Sequence, residues 1–368
     1  MRHINHDING QRLWRLLQMV SERHPREGCA ALLSTAQLQL KYLAEGAANV
    51  IYTVQVLGPE ELQRHDHCCV LRMRKALPFT KPCTEAMEDF ENCIQPLFSH
   101  HPSLLMKQAL YKLTREMVME ADQELRDLDH HHHHSSSKGN KGRDHHRRHV
   151  YLPSYEEEQY GILMPNLQKP GTDRLIEFKP KWLVQSPSAP QDARRCRTCA
   201  LNAMRRHSAK TKGRGDSGFC PLDLLSEDDR VMEKAVAHIW RPMDQGLLDV
   251  FAREFRTKVQ PALRHLQLLQ LEHSFVGLDH FRDPGALDFS IAMALRDCSA
   301  FLVIDQPSRS GKEDVEITDV KFADLDLKSP DGGKVEKWAA MEEELIRGHW
   351  YLAAGESDET CALGRGHG

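Results

Sequence analysis

The stretch over residues 175–182 restricts the fold of this chain more than any other. Pro180 excludes a helix interior and removes one backbone donor, so this stretch must be the end or edge of a strand that leads into a loop. Extended side chains alternate between two faces. One face carries Glu177, Lys179 and Lys181, and the other carries Ile176, Phe178 and Trp182. Two ammonium groups held side by side suit a polyanion such as phosphate, although a solvated edge strand would show the same pattern.

The length and composition indicate a globular protein with two lobes. A chain of 368 residues is longer than one hydrophobic core usually supports. Its apolar content of 40% and charged content of 28% are ordinary for a soluble protein. Neither a membrane-spanning apolar run nor the apolar core of a signal peptide is present, so we expect the ten cysteines to stay reduced in the cytosol or nucleus. The net charge of −4 says nothing about partners.

Periodicity and turn residues predict the elements of the first lobe. A helix is predicted over residues 11–20, and two more within residues 84–127, the second from Leu104 to Leu128. Strands are predicted after the small residues 46–48, over residues 68–75 and over residues 161–167. Small side chains would let backbone N–H groups approach an anion, although a plain tight turn is the commoner explanation. Arg72 could reach a nucleotide phosphate or lie on a solvated face.

The composition changes abruptly over residues 130–149, which are rich in His, Ser and basic residues. Such a segment cannot bury apolar area, so the sequence predicts a disordered loop. We therefore expect its deletion to leave activity nearly unchanged. Adventitious metal binding by the His run is the alternative.

Residues 193–215 contain eight basic residues and no acidic one. On a helix, Arg194, Arg197 and Arg205 would lie on one side and Cys196, Cys199, Ala200 and Ala203 on the other. The basic side fits anion binding, and a nuclear-localisation or RNA-binding run is the other interpretation. The two cysteines fit a buried apolar face, or half of a zinc site for which Cys220 and His207 are the available further ligands.

Two aspartates bracket a predicted hairpin near the C-terminal end. An apolar helix ends at Asp297, strands follow over residues 299–304 and 315–322, and Asp324 comes directly after them. If the strands pair, both carboxylates meet at the open end of the hairpin. That arrangement suits Mg²⁺ binding and general-base chemistry, whereas the simpler interpretation is that each aspartate caps a strand end.

These segments together resemble one known family. Glu177-x-Lys179-Pro180-Lys181 is the signature of the inositol-pentakisphosphate 2-kinases. Six further segments resemble that family in the same order: Glu45–Asn49, Val70–Lys75, Leu163–Leu167, Pro221–Leu224, Arg296–Ser299 and Asp324–Lys328. The likeness extends from about Leu43 to Lys328. The His-rich insert and short C-terminus are similar to those of fungal members.

The resemblance implies an α+β fold of two lobes that is distantly similar to protein kinases. Residues 1–167 would form an N-lobe with an antiparallel sheet, residues 168–350 a larger mixed C-lobe, and residues 351–368 a tail, with ATP in the cleft between the lobes. The implied reaction is Mg²⁺- and ATP-dependent phosphorylation of the 2-hydroxyl of inositol 1,3,4,5,6-pentakisphosphate to give inositol hexakisphosphate. We expect a monomer in the nucleus or cytoplasm, without a membrane or nucleic-acid partner.

The resemblance also implies a role for individual residues. The implied nucleotide-binding residues are Gly46, Ala47, Ala48, Asn49 and Arg72 at the phosphates and Asn166 at adenine or ribose. Asp297 would face the 2-hydroxyl, Asp324 would bind Mg²⁺, and Lys179 would lie between donor and acceptor phosphates. The implied substrate-binding residues are Glu177, Lys181, Arg205 and Lys328.

The sequence departs from the family pattern in the C-lobe. Leu201 stands where members often have a His, and Gly332 and Glu336 stand where they often have an Arg and a Tyr. Lys334 or Lys337 are the candidates to replace those contacts. The alternative function is a non-catalytic protein that binds inositol phosphate or RNA through the basic run. The presence of both Asp297 and Asp324 favours the enzyme.

Overall fold

The structure, a computed structural model, describes residue 33 and residues 36–58, 60–63, 66–130, 143–168, 173–207, 219–240, 245–280, 287–305, 315–352 and 361–365. The predicted helix over residues 11–20 lies outside the described residues, as do residues 131–142 of the insert and 208–218 of the basic run. The contacts divide the chain into two compact units. Unit 1 comprises residues 1–89 and 106–169, and unit 2 comprises residues 90–105 and 170–368. Residues 90–105 therefore group with unit 2, whereas the sequence placed them in the first lobe.

Among the described residues, unit 1 contains a five-stranded antiparallel sheet in the order β1-β2-β3-β5-β4. Its strands are β1 (Gln37–Glu45), β2 (Asn49–Leu57), β3 (Cys69–Arg74), β4 (Ala109–Lys112) and β5 (Tyr160–Pro165). Its helices are α1 (Glu60–Gln63), α2 (Cys83–Asp89) and α3 (Arg115–His130), with a 3₁₀ turn at His145–Arg147. The inward residues of β2, including Tyr52 and Val54, pack with Val118 and Leu125 of α3. This alternation of buried and open positions is what a half-buried strand requires.

The prediction of a continuous helix from Leu104 to Leu128 is wrong in its first part. Ala109–Lys112 form β4, which pairs with β5 so that Leu110 lies opposite Ile162. The helix α3 begins only at Arg115. A short apolar run fits a strand and a helix equally well, and here the pairing with β5 decides between them.

Unit 2 contains, among its described residues, a three-stranded antiparallel sheet in the order β6-β7-β8. Its strands are β6 (Asp173–Phe178), β7 (Ser299–Asp305) and β8 (Glu316–Ala323). Its α-helices are α4 (Arg197–His207), α5 (Asp229–Trp240), α6 (Leu248–Glu254), α7 (Gln260–Glu272), α8 (Leu287–Asp297), α9 (Lys334–Arg347) and α10 (Ala362–Arg365). Shorter 3₁₀ or π turns lie at Phe90–Ile94, Gln95–Phe98, Pro102–Leu104, Pro221–Leu225, Gln245–Leu247 and Phe255–Val259.

Two predictions about this sheet are confirmed. β6 is an edge strand that ends at Phe178, two residues before Pro180, and β7 and β8 pair in antiparallel register from Ser299 opposite Ala323. Both units combine antiparallel strands with helices, so the chain belongs to the predicted α+β class. No helix in the described ranges is long and apolar enough to cross a membrane.

Candidate functional site

The loop after β6 presents two lysines beside the end of the β7–β8 hairpin. Ile176, Phe178, Pro180 and Trp182 are buried, whereas Lys179 and Lys181 are partly exposed, so the predicted alternation continues beyond the strand. The backbone of Lys181 is left-handed, with φ of 62°. Residues other than Gly, Asn and Asp adopt this backbone conformation at a cost in free energy. Residues in such strained conformations concentrate at functional sites.

Asp297 and Asp324 meet at the open end of the hairpin, as the sequence predicts. Asp297 ends α8, two residues before β7 begins, and Asp324 directly follows β8. Because Ser299 pairs with Ala323, the hairpin register itself brings the two aspartates together. Asp324 also has a left-handed backbone, with φ of 57°.

Three lysines and the two aspartates form an alternating chain of ion pairs, here called the lysine–aspartate chain. Lys181 Nζ lies 2.8 Å from Asp297 Oδ1, and Lys179 Nζ lies 3.3 Å from Asp297 Oδ2. Lys179 Nζ also lies 2.8 Å from Asp324 Oδ2 and donates to the backbone carbonyl of Asp297 at 2.8 Å. Lys328 Nζ lies 3.8 Å from Asp324 Oδ1. The lysine–aspartate chain carries one more positive than negative charge, and its side chains are partly exposed to solvent.

The lysines keep the Asp297 carboxyl ionised. Burial favours its neutral form, but the hydrogen bond and charge of Lys181, helped by the charges of Lys179 and Lys328, outweigh burial and lower the pKa of Asp297. Burial likewise works against the charged form of Lys179, and its hydrogen bond and ion pair with Asp324 reverse the effect and raise the pKa of Lys179. At neutral pH the Asp297 carboxylate therefore lies beside the Lys179 ammonium group.

A buried glutamine that the sequence analysis missed holds this site together. Gln270 of α7 is 1% exposed, and its Nε2 donates to the backbone carbonyls of Lys181 and Leu295 at 3.0 Å each. Its Oε1 accepts from the Leu183 N–H at 2.8 Å. One side chain thus fixes the loop that carries Lys181 to the end of the helix that carries Asp297. A Gln in a helix has no sequence signal that would reveal this role.

A cation cluster lies beneath the same loop. The Arg296 guanidinium lies 4.0 Å from the Trp182 ring centroid, and the Arg197 guanidinium lies 4.6 Å from it. Arg197 Nε also pairs with the buried Glu342 carboxylate at 2.8 Å. Arg197 was placed with Arg194 and Arg205 on a basic side that fits anion binding, but Arg197 is only 8% exposed and its guanidinium is engaged by Trp182 and Glu342.

In unit 1, hydrogen bonds and a buried lysine hold the loop between β1 and β2. The Gly46 N–H donates to the Asn49 carbonyl at 2.8 Å, which closes the turn over Gly46, Ala47 and Ala48. Lys75 Nζ donates to the Gly46 carbonyl at 2.9 Å and pairs with Glu45 Oε2 at 2.6 Å. A buried ammonium so placed draws the carbonyl of Gly46 towards the core.

Arg143, from the predicted disordered insert, completes this arrangement. It is 2% exposed, and its guanidinium binds both oxygens of Glu45 at 2.9 and 3.0 Å and Asp129 at 3.1 Å. The prediction of a disordered loop over the whole of residues 130–149 is therefore wrong at Arg143, and removal of the segment would leave the buried carboxylates without this partner. One basic residue within a basic run gave no signal of this role.

The other predicted nucleotide residues lie along β3. Arg72 is 8% exposed, donates to Gln108 Oε1 at 3.4 Å and pairs in register with Ile51 of β2. Asn166 lies at the other end of β3, where its N–H donates to the Cys68 carbonyl at 2.7 Å and its Nδ2 to the His67 carbonyl at 2.9 Å. The loop and Asn166 are therefore separated by the length of β3, roughly 17 Å at the usual rise per residue.

Comparison with known proteins identifies the family. The sequence profile of the family described as inositol-pentakisphosphate 2-kinase matches residues 42–265 and 255–344, which is well over half of the chain. The chain belongs to this family. It is similar to an inositol-pentakisphosphate 2-kinase of Yarrowia lipolytica, with 34% identity over 181 residues that cover 49% of this chain and 54% of the relative. The chain thus spans about half the length of the curated relative that it matches.

The remaining predicted residues of this inositol-pentakisphosphate 2-kinase family member lie on unit 2. Glu177 is exposed, and its Oε1 accepts a hydrogen bond from Ser299 Oγ at 2.8 Å, beside the hairpin end. Arg205 is exposed in the last turn of α4, and Lys334 and Lys337 are exposed at the start of α9. The structure thus brings Lys179, Lys181, Lys328, Asp297 and Asp324 into one set of contacts.

Proposed function

We propose that this protein transfers the γ-phosphoryl group of ATP to the 2-hydroxyl of inositol 1,3,4,5,6-pentakisphosphate, giving inositol hexakisphosphate and ADP. The observation that carries the proposal is the lysine–aspartate chain at the open end of the hairpin. Phosphoryl transfer depends on positioning and charge neutralisation rather than on covalent help from the protein. The lysine–aspartate chain offers both positioning and charge neutralisation, because its ammonium groups lie directly against two carboxylates.

The role of each residue follows from its place in the lysine–aspartate chain. Asp297 is held ionised and can accept the proton of the 2-hydroxyl as its oxygen bonds to the γ-phosphorus and the bond to the ADP oxygen breaks. Lys179 contacts both aspartates and so lies where charge on the transferred group can be neutralised. Lys181 and Lys328 lie at the two ends of the lysine–aspartate chain. They are placed to bind phosphates that do not react.

The donor set also fits a magnesium ion. Asp324 presents hard carboxylate oxygens, and its side chain is 45% exposed, which leaves room for the water and phosphate oxygens that Mg²⁺ retains. Bound Mg²⁺ would neutralise charge on the nucleotide phosphates. We assign it to Asp324, with Asp297 reserved for the acceptor hydroxyl.

The nucleotide is assigned to unit 1. The loop of Gly46–Asn49 and Arg72 would contact phosphates, and Asn166 would lie near adenine or ribose, so that ATP extends along β3. This assignment makes the two units the lobes of a fold distantly similar to protein kinases. We further propose that the protein acts as a monomer in the nucleus or cytoplasm.

The direct test incubates the purified protein with Mg²⁺-ATP and a panel of inositol phosphates, followed by anion-exchange separation of the products. We expect inositol hexakisphosphate from the pentakisphosphate. Asp324→Asn should abolish turnover, since a neutral amide holds Mg²⁺ poorly, while inositol phosphate binding stays largely intact. Asp331→Asn is the matched control, because Asp331 is exposed in the following loop, where it accepts from Ser329. Near-normal turnover by Asp324→Asn would remove Asp324 from the metal site.

The same experiment tests the alternative, a binding protein without catalysis. That alternative relied on the basic run of residues 194–214, and one member of that run, Arg197, is buried. If no inositol phosphate is phosphorylated while the wild-type protein binds RNA or inositol phosphate tightly, the kinase proposal fails and the binding protein replaces it.

A further inference from the structure

Two buried residues stand directly beside members of the lysine–aspartate chain and contact each other. Trp182 follows Lys181 in the sequence, and Arg296 precedes Asp297. Their side chains are buried, with 4% of Trp182 and 1% of Arg296 exposed. The guanidinium carbon of Arg296 lies 4.0 Å from the centroid of the Trp182 ring. The partly exposed ion pair of Lys181 and Asp297 is therefore accompanied in the core by a cation–π contact between their sequence neighbours.

Arg296 carries a positive charge into the core, and the described residues give it no carboxylate at ion-pair distance. Its Nη1 donates to the Val276 carbonyl at 2.8 Å, and its Nη2 donates to the His273 carbonyl at 3.0 Å. Burial and the charge of Arg197 lower the pKa of Arg296 to about 10, so its guanidinium is still charged at neutral pH. A buried cation is costly unless its surroundings compensate the charge. The electron-rich face of the Trp182 ring supplies part of that compensation.

The Trp182 ring is also held by a second guanidinium. The Arg197 guanidinium carbon lies 4.6 Å from the ring centroid, and Arg197 Nε pairs with Glu342 Oε2 at 2.8 Å. The other oxygen of Glu342 accepts from Ser186 Oγ and Tyr351 Oη at 2.6 Å each. Because Glu342 has donors on both oxygens, it fixes Arg197 against the ring. The ring therefore has little freedom to move away from Arg296.

We propose that Trp182 and Arg296 are positioning residues that set the place of Lys181 relative to Asp297. Lys181 has a left-handed backbone, a conformation that persists only where the surrounding structure enforces it. Gln270 holds the backbone carbonyl of Lys181, and the cation–π contact holds the side chain that follows it. This inference rests on the proposed function, in which Lys181 binds a phosphate of the inositol phosphate.

Two substitutions of Trp182 separate the aromatic face from apolar bulk. Trp182→Leu should raise both KM and Kd for inositol pentakisphosphate by about tenfold or more, as loss of a desolvated cation–π contact allows. Trp182→Phe retains an aromatic face and should keep both constants within about threefold of the wild-type values. The KM for ATP should stay within about twofold in both variants, because a loss of uniform binding raises KM only for the ligand concerned.

A double-mutant cycle tests whether Arg296 acts through Lys181. Arg296→Met removes the charge, and it should raise KM for the inositol phosphate in the wild-type background. In the Lys181→Ala background the same substitution should change KM by less than about twofold, since residues that act through one another are not additive.

Trp240→Leu is the matched control for a buried tryptophan. Trp240 is fully buried in unit 2 and stacks on Phe251, with ring centroids 4.3 Å apart. Its replacement should lower the stability of the protein and leave KM for the inositol phosphate unchanged. A structural role for Trp182 alone would make Trp182→Leu behave in the same way as this control.

A measurement without turnover separates this inference from the proposed function. In the full chain without ligands, hydrogen exchange of residues 181–183 and 295–298 should be faster in Trp182→Leu and Arg296→Met than in the wild type. Trp240→Leu should leave exchange in these segments unchanged. If the wild-type protein phosphorylates no inositol phosphate, the proposed function fails, while the exchange rates still test the contact. Unchanged exchange in both variants, equal KM values for Trp182→Leu and Trp182→Phe, or additive effects of Arg296→Met and Lys181→Ala would each overturn the inference.

Discussion

Lys179 and Lys181 are close neighbours in sequence, but their ammonium groups have different partners. Lys179 contacts both aspartates, whereas Lys181 contacts Oδ1 of Asp297. We therefore expect Lys179→Ala to lower kcat by a factor on the order of 10², the usual loss when a preorganised electrostatic partner is removed. Lys181→Ala should chiefly raise KM for the inositol phosphate, as expected when uniform binding is lost.

Steady-state kinetics with both substrates varied separates these two effects. Lys179→Arg serves as the charge-retaining variant and should rescue poorly, because a planar guanidinium does not fill the place of a compact ammonium. Equal losses of kcat in both alanine variants would show that the two lysines share one role.

The pH dependence of catalysis should report the Asp297 carboxyl. Burial raises its pKa, and the hydrogen bond and charge of Lys181 more than offset this effect, so the net shift is downward. Removing that cation in Lys181→Ala must raise the pKa, and the acidic limb of kcat/KM should move to higher pH. Lys328→Ala should move the limb less, because Lys328 pairs with Asp324 and contributes least to the shift. A limb that stays in place in both variants would identify a different titrating group.

For individual residues, the sequence predicted that Asp297 and Asp324 lie close together, but not the buried side chains that support the candidate site. Asp297 and Asp324 could be paired from sequence, because a hairpin register is a local property of two adjacent strands. Gln270, Lys75 and Arg143 could not, because each acts through burial against residues far away in the chain. Glu45 and Arg143, for example, are 98 residues apart.

Among the elements, the insert of residues 130–149 differs most from its prediction as a disordered loop. Deleting residues 131–142 keeps Arg143 and should leave stability nearly unchanged, since loop length costs little. Deleting residues 130–149 also removes Arg143 and leaves Glu45 and Asp129 buried without it. Breaking a buried ion pair costs about 3–5 kcal/mol, so unfolding in urea should show a loss on that scale.

Arg143→Ala alone should reproduce most of that loss, which separates the ion pair from the length of the insert. If the two deletion variants are equally stable, the Arg143 contacts contribute nothing measurable.

Strand β4 is a second element that the local sequence could not predict. The segment before Arg115 has an apolar pattern that a helix could use, and only the pairing partner β5 makes part of it a strand.

For the whole molecule, the proposal assigns one ligand to each unit. A non-hydrolysable ATP analogue should slow amide exchange over residues 45–57 and 69–74 of unit 1. Inositol pentakisphosphate alone should protect residues 177–182 and 323–328 of unit 2. Hydrogen exchange with mass spectrometry measures both, since protection reports local opening segment by segment. Protection by the inositol phosphate confined to unit 1 would contradict the division.

The α+β class was accessible from sequence, because the hydrophobic pattern is a property of the chain as a whole. The assembly of unit 2 was not. Its buried cysteines bring Cys196 and Cys361 together across 165 residues, and the spacing of Cys196 and Cys199 alone could not reveal that contact.

Residues 90–105 are synthesised long before the residues against which they pack. It is made early but belongs to unit 2, where Phe98 packs on Phe322 and the Lys321 ammonium donates to the Ser103 carbonyl, 218 residues away. At about 5–20 residues per second, the ribosome needs roughly 10–45 s to supply those partners. During that time Phe98 and its neighbours lack their packing partners on the nascent chain, so we expect residues 90–105 to be a site where chaperones bind during synthesis.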